Sequence, residues 1–280
     1  MKIVYTVSAL KESINHHRQN SGSVGFVPTM GALHEGHISL VRQAASKNSF
    51  VVVSIFVNPT QFNDKEDLKK YPRDLNSDIK LLEGTGCNLV FAPKADEVYP
   101  ETDKRIFEFG DLGAVMEGEH RPGHFNGVAQ VVSKLFDMVM PDRAYFGKKD
   151  FQQLAIIKNM VKQLNLPIEI IPCDIVRETD GLAMSSRNVR LTSKERESAL
   201  AISKTLFDAI KQSKNKSVSE VKKWVIETIN NTPYLKIEYF DIVDDNTLAT
   251  LSDWEETRNK TGCIAVMCGN VRLIDNVSFS

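Results

Sequence analysis

Four short polar clusters in this chain carry residue types suited to holding phosphates and a small acid. The first is TMGALHEGH, Thr29 to His37. Its glycines Gly31 and Gly36 allow backbone to approach a ligand closely. His34 and His37, three residues apart, share one face of a first helical turn. A helix N-terminus there offers open N–H groups and a partial positive charge, which suits an anion. A capping or surface role is the bland reading of such a histidine pair; the setting after a strand, beside two glycines, favours the anion. The second cluster is NPTQF, Asn58 to Phe62. Asn58-Pro59 signals a turn. Gln61 is a neutral amide that donates and accepts at once, which suits a hydroxy acid.

The third cluster is GKKDFQQL, Gly147 to Leu154. Lys148 and Lys149 bring positive charge to a helix start, where Asp150 is placed to cap. Adjacent lysines are more often a solvated face. The fourth is MSSRN, Met184 to Asn188, whose two hydroxyls and guanidinium make a cradle for phosphate oxygens. A flexible linker is the competing reading of that stretch. Other chemistries lack their anchors: there is no Walker A sequence, no GxGxxG after a strand, no GxSxG elbow and no HExxH.

These clusters need elements to position them. SVGFVP (Ser23 to Pro28), FVVVSIFV (Phe50 to Val57), CNLVFAP near Cys87, RAYFG near Tyr145 and IEIIPC near Ile170 read as buried strands. Helical patterns lie between them. After Gly127, residues Val128, Val131, Val132, Leu135, Phe136 and Val139 form one apolar stripe. Strands alternating with helices predict an α/β fold, a doubly wound parallel sheet of Rossmann-like type, over residues 1–176. Such sheets bind ligands at the carboxyl ends of their strands, where the clusters fall. After Val176 a polar loop, RETDGLAMSSRN, leads into two helices with capping boxes at Thr192/Glu195 and Ser217/Glu220. KIEYFDIV, CIAVMC and VRLID then read as strands. A smaller C-terminal α+β domain over residues 177–280 is expected.

The bulk numbers fit an ordinary globular chain of 280 residues, 42% hydrophobic and 25% charged. A formal net charge of -1 gives no reason to expect nucleic acid or a membrane as partner. No apolar run is long enough to cross a bilayer, and no signal peptide fits the first residues. Cys87, Cys173, Cys263 and Cys268 form no CxxC pair and are expected as reduced thiols. A cytoplasmic location follows as an expectation.

HEGH resembles the HxGH signature of the nucleotidylyltransferase superfamily, and MSSRN resembles its KMSKS loop. The longer strings PTMGALHEGH, SIFVNPTQF, RPGHFNGV, FGKKDFQQL and DGLAMSSRN resemble the pantothenate synthetase family. That resemblance runs from about Gly25 to Asn188 and is one of general pattern beyond. It implies ATP contacts from Met30, Gly31, Ala32, Leu33, His34, Glu35, Gly36 and His37. It also implies them from Gly147, Lys148, Lys149, Asp150, Val176, Met184, Ser185, Ser186 and Arg187. It implies pantoate contacts from Gln61 and Gln153, β-alanine near Gln61, Mg²⁺ beside Asp78, a homodimer, and a C-terminal domain that closes on ATP. Phe151 stands where the family often has Tyr, and Ser77 stands where it often has an acid beside Asp78.

The implied chemistry is condensation of pantoate with β-alanine through a pantoyl-adenylate, releasing pyrophosphate and then AMP. Lys149, Ser185, Ser186, Arg187 and Mg²⁺ would neutralise the phosphates, while His34 and His37 donate to phosphate oxygens. The family assigns His37 as a proton donor, but hydrogen-bonding a phosphate needs the same geometry, so both roles stay open. So does the base for the amine: water, a phosphate oxygen or His34. The rival enzyme is another adenylyl- or cytidylyltransferase, which would keep HxGH without needing Gln61 and Gln153. A non-catalytic nucleotide-binding regulator is disfavoured by intact His37, Lys149 and Arg187.

Overall fold

A computed structural model describes residues 1–19, 21–62 and 65–279. In chain order the elements are β1 (Lys2–Val4), α1 (Val7–Arg18), β2 (Val24–Thr29), α2 (Glu35–Lys47), β3 (Phe50–Ile55), α3 (Lys65–Lys70), α4 (Leu75–Leu82), β4 (Leu89–Phe91) and α5 (Ala95–Val98). Then follow α6 (Glu117–His120), α7 (His124–Val139), β5 (Arg143–Gly147), α8 (Phe151–Gln163), β6 (Glu169–Cys173), α9 (Ser193–Gln212), α10 (Val218–Asn230), β7 (Leu235–Asp244), β8 (Lys260–Cys268) and β9 (Val271–Ser278). The chain divides into two compact units. The first is Met1–Phe109, Arg121–Lys148 and Gln153–Asp174; the second is Gly110–His120, Lys149–Gln152 and Ile175–Ser280.

The first unit is a six-stranded parallel sheet in the order β1-β4-β3-β2-β5-β6. Side chains alternate between its two faces, as the pleat requires. Val24, Phe26, Val52, Leu89, Phe91, Ala144 and Phe146 pack with α1, α7 and α8. Val27, Val51, Val53, Val90 and Tyr145 pack with α2 and Leu82 of α4. Strands buried on both faces explain the continuous apolar runs in the sequence. The chain runs outward from β2 through β3 to β4, and then returns to place β5 on the other side of β2. The order therefore reverses at β2 and β5, and the crevice at their carboxyl ends is the topological switch point. Both the TMGALHEGH loop and Gly147–Lys148 leave from those ends.

Helix α7 carries the expected stripe, with Val128, Val131, Val132, Leu135, Phe136 and Val139 all buried. It begins earlier than the stripe does, at His124, after Gly123 in a left-handed conformation. Its first turn includes the buried Phe125, three residues before Val128, so the apolar stripe reaches one turn further back than expected.

The second unit is an antiparallel meander, β7-β8-β9, with α9 and α10 packed through Ile202, Leu206, Val221, Val225 and Ile229 onto Phe240, Ile242, Ile264 and Val266. Both expected capping boxes are formed: Thr192 with Glu195, and Ser217 with Glu220. Cys173, Cys263 and Cys268 lie in strands and Cys87 just before β4; all four are buried free thiols.

Candidate active site

The loop after β2 is built by strain and by hydrogen bonds from its neighbours. Gly31 and Ala32 both take positive φ, at 79° and 50°. That conformation costs an alanine energy, so something must hold it. Asp78 of α4 does so: its Oδ2 accepts the Ala32 N–H at 3.0 Å and its Oδ1 accepts the Leu33 N–H at 2.7 Å. Thr29 Oγ1 donates to Ser54 O and accepts from Gly31 N. A Cβ on Gly31 would lie 2.9 Å from Asp78 Oδ2, so the carboxylate and the bare backbone fit each other.

The loop then enters α2 through its two histidines. His34 is the N-cap, and its Nδ1 accepts the Gly36 N–H at 3.1 Å. His37 is the third helical residue, and its Nδ1 accepts the His34 N–H at 3.3 Å. The pair forms a reciprocal capping box made of imidazoles, with ring centroids 4.1 Å apart. Capping engages the Nδ1 atom of each ring. An Nδ1 that accepts a backbone N–H carries no proton, so in the neutral ring the proton sits on Nε2. The cap fixes the tautomer and makes each Nε2 a donor.

Asp78, expected beside Mg²⁺, is engaged with the loop backbone. It is 3% exposed and uses both oxygens on backbone amides. Among the described residues no group of three or more His, Cys, Asp or Glu could hold a metal ion. The role the structure gives Asp78 is to hold the loop backbone. Burial, outweighing the two amides, raises its carboxyl above the ordinary value. Ionising it costs stability, a cost present above the folded pKa and absent below the unfolded one.

Gln61 closes a short 3₁₀ turn, Pro59–Gln61. Its Nε2 donates to Met30 Sδ at 2.8 Å, which links the second cluster to the first. Asn58 Nδ2 donates to Gln61 Oε1 at 3.2 Å and to Gly127 O at 3.2 Å. The backbone carbonyl of Gln61 is met by His124 Nδ1 at 2.8 Å and Arg121 Nη2 at 3.5 Å. A Cβ on Gly127 would lie 2.5 Å from Thr60 O. Arg121, His124 and Gly127 of the RPGHFNGV string therefore clamp this turn. Residue types alone gave them no role, because the turn they serve lies about sixty positions away.

After β5, Lys148 pairs with Asp174 at 2.6 Å and its side chain is 46% exposed. Lys149 pairs with Asp150 at 3.7 Å and is 19% exposed. Gln153, half-buried, belongs to the first unit, whereas its neighbour Gln152 belongs to the second. Gln152 is buried and structural: Nε2 donates to Leu112 O and Val115 O, and Oε1 accepts from Glu117 N. Glu117 in turn holds Arg272 through both oxygens and accepts from Tyr239 Oη.

The stretch read as a polar loop is a small hairpin. Arg177 bridges to Ala183, Met184 N donates to Val176 O, and the turn is made at Asp180-Gly181 with Gly181 at φ 97°. Val176 and Met184 are thereby adjacent. Ser185, Ser186 and Arg187 follow in a turn where Ser185 Oγ accepts from Arg187 N. Asn188 Nδ2 ties the turn back to Glu178 and Ala183.

Comparison with known proteins agrees with these features. The family profile for pantoate–β-alanine ligase matches residues 2–278. A pantothenate synthetase of Bacteroides thetaiotaomicron is 56% identical over 279 residues, covering 100% of this chain and 99% of the relative. A solved pantothenate synthetase of Thermus thermophilus superposes with TM-score 0.94 at 44% identity, covering 100% and 99% of the two chains. A pantoate–β-alanine ligase of Francisella tularensis, solved with β-γ ATP and β-alanine, gives TM-score 0.83 at 35% identity, covering 100% and 98%. With its parallel sheet, its HEGH capping box and its MSSRN turn, the chain belongs to the pantoate–β-alanine ligase family.

Proposed function

We propose that the ligation proceeds in two steps through a pantoyl-adenylate, with the residues of the polar clusters as its machinery. The reaction joins pantoate to β-alanine with consumption of ATP and yields pantothenate, AMP and pyrophosphate. The observation that carries the two-step reading is the imidazole capping box at the start of α2. Two Nε2 donors and a helix N-terminus in the loop that follows β2 support this reading, since such groups stabilise developing negative charge on phosphate.

In the first step a pantoate carboxylate oxygen bonds to the α-phosphorus, and the bond to the pyrophosphate leaving group breaks. The carboxylate is already ionised at neutral pH, so no base is needed. Meeting an anion with a polyanion is the difficulty, and cations and donors reduce it. His34, His37, Lys149, Ser185, Ser186 and Arg187 are assigned to that task. Met30–His37, Gly147–Asp150, Val176 and Met184 are assigned to ATP. Gln61, already oriented by Asn58 and Met30, and Gln153 are assigned to pantoate. In the second step the amine of β-alanine attacks the acyl carbon and AMP departs. The amine first loses a proton to water, a phosphate oxygen or His34.

Mg²⁺ is assigned as an ion that accompanies the ATP phosphates; Asp78 holds the loop, and no step here runs through the metal. The family resemblance also supports a homodimer and a cytoplasmic location; among the described residues no helix is long and apolar enough to cross a membrane. The two-step course is tested by supplying ATP and pantoate without β-alanine. Labelled pyrophosphate should exchange into ATP under those conditions. Exchange that waits for the amine would rule out a free-standing adenylate.

A further inference from the structure

The last strand of the second unit ends in a buried polar node whose bonds go to two of the segments assigned to ATP. Asp275 and Asn276 lie in β9 and are 3% and 6% exposed. Asp275 takes both arms of the Arg177 guanidinium, at 2.6 and 2.9 Å. Arg177 also donates to Gly181 O at 3.1 Å and Asn276 O at 3.3 Å, and it sits over the Phe207 ring at 4.9 Å. These bonds hold the hairpin that leads into Ser185–Arg187. Asn276, fixed through its own N–H to Asp275 Oδ1 at 2.8 Å, turns its side-chain amide to the other segment: Nδ2 donates to Lys149 O at 3.0 Å.

We propose that Asn276, seated by the Arg177–Asp275 pair, is a positioning residue that holds the Lys149 backbone and thereby aims the Lys149 ammonium relative to the Ser185–Arg187 turn. The inference rests on the assignment of Lys149 and that turn to the ATP phosphates. A desolvated ion pair contributes little net stability compared with apolar packing. What it supplies is geometry, because a bidentate guanidinium–carboxylate pair allows one orientation. Through Asn276 that orientation reaches the lysine backbone, and Gln152 anchors the other end of the same four-residue segment. Misplacement by a fraction of an ångström is enough to lower a rate that depends on aligned donors.

The test is a double-mutant cycle in pantoate-dependent pyrophosphate exchange, run on the whole chain with saturating ATP and pantoate. Asn276→Ala should lower the exchange rate roughly tenfold. Asn276→Asp, of equal size but with no amide donor, should show the same loss while thermal unfolding stays cooperative. In a Lys149→Ala background either substitution should cost less than about twofold more, because the group being positioned is already gone. Wild-type exchange in both Asn276 variants would overturn the proposal, as would losses that multiply in the double variants. Wild-type exchange in Lys149→Ala alone would instead remove the premise, and the two failures are told apart by that single variant.

Discussion

The loop from Met30 to His37 and the turn from Met184 to Arg187 are both proposed as ATP contacts, yet they are held differently. The first is fixed from nearby in the chain. Thr29 bonds Gly31, Gly31 and Ala32 take left-handed backbone, and His34 and His37 cap each other. More distant residues complete it: Asp78 accepts the Ala32 and Leu33 amides, and Gln61 reaches Met30. The second has local bonds too, from Asn188 to Glu178 and Ala183, but adds a remote brace. Its hairpin depends on Arg177, whose partner Asp275 lies 98 residues on. Locally braced sites advertise themselves in short sequence strings, whereas sites braced by remote buried polar groups show only the residues that touch the ligand.

Substitutions can break this contrast, and the largest effect is expected at Lys149. Lys149→Ala should lower turnover by roughly a hundredfold or more, the usual cost of one transition-state donor. Lys148→Ala should do far less, since its exposed ammonium is paired with Asp174. Equal losses in steady-state assays would mean that the catalytic lysine is misassigned.

Asp78→Ala comes next. It leaves the Ala32 and Leu33 amides without their acceptor and should cost about 1–3 kcal/mol in stability. The KM for ATP should rise with it. Raising Mg²⁺ should not restore activity, because the carboxylate holds backbone; restoration by Mg²⁺ titration would return Asp78 to the metal.

A smaller effect is expected at Gln153. Gln153→Ala should weaken pantoate use by roughly 1–3 kcal/mol, since a lost amide leaves a substrate hydroxyl unpaired. ATP binding measured by calorimetry should be nearly unchanged. Equal loss of both would place Gln153 in the scaffold, as Gln152 is.

Much of the fold was legible because its signals are local. Buried parallel strands appear as apolar runs such as Phe50 to Val57, and the boxes at Thr192 and Ser217 obey a fixed three-residue spacing. His34 and His37 were legible for the same reason, although the sequence set capping against anion binding and the structure joins capping to a donor geometry. The loop-holding role of Asp78 was not legible, because a carboxylate that accepts two buried N–H groups leaves no mark in spacing. Arg121, His124 and Gly127 went without a role because the turn they clamp is distant in sequence. Gln152 and Gln153 are alike as letters, and only packing separates the one that bonds Leu112, Val115 and Glu117 from the one that does not. The short piece Lys149–Gln152 belongs with the second unit, and no composition change in four residues could signal that.

The central claim is that His37 acts by donating a hydrogen bond from Nε2 to phosphate and not by transferring a proton. The most direct test compares His37→Gln with His37→Asn in pantoate-dependent pyrophosphate exchange. Glutamine places an amide donor near the Nε2 position but cannot transfer a proton; asparagine keeps an acceptor near Nδ1 for the His34 N–H and loses the distal donor. The account predicts that His37→Gln retains most of the exchange while His37→Asn loses roughly a hundredfold. Retention in His37→Asn, or equal loss in both variants, would contradict it.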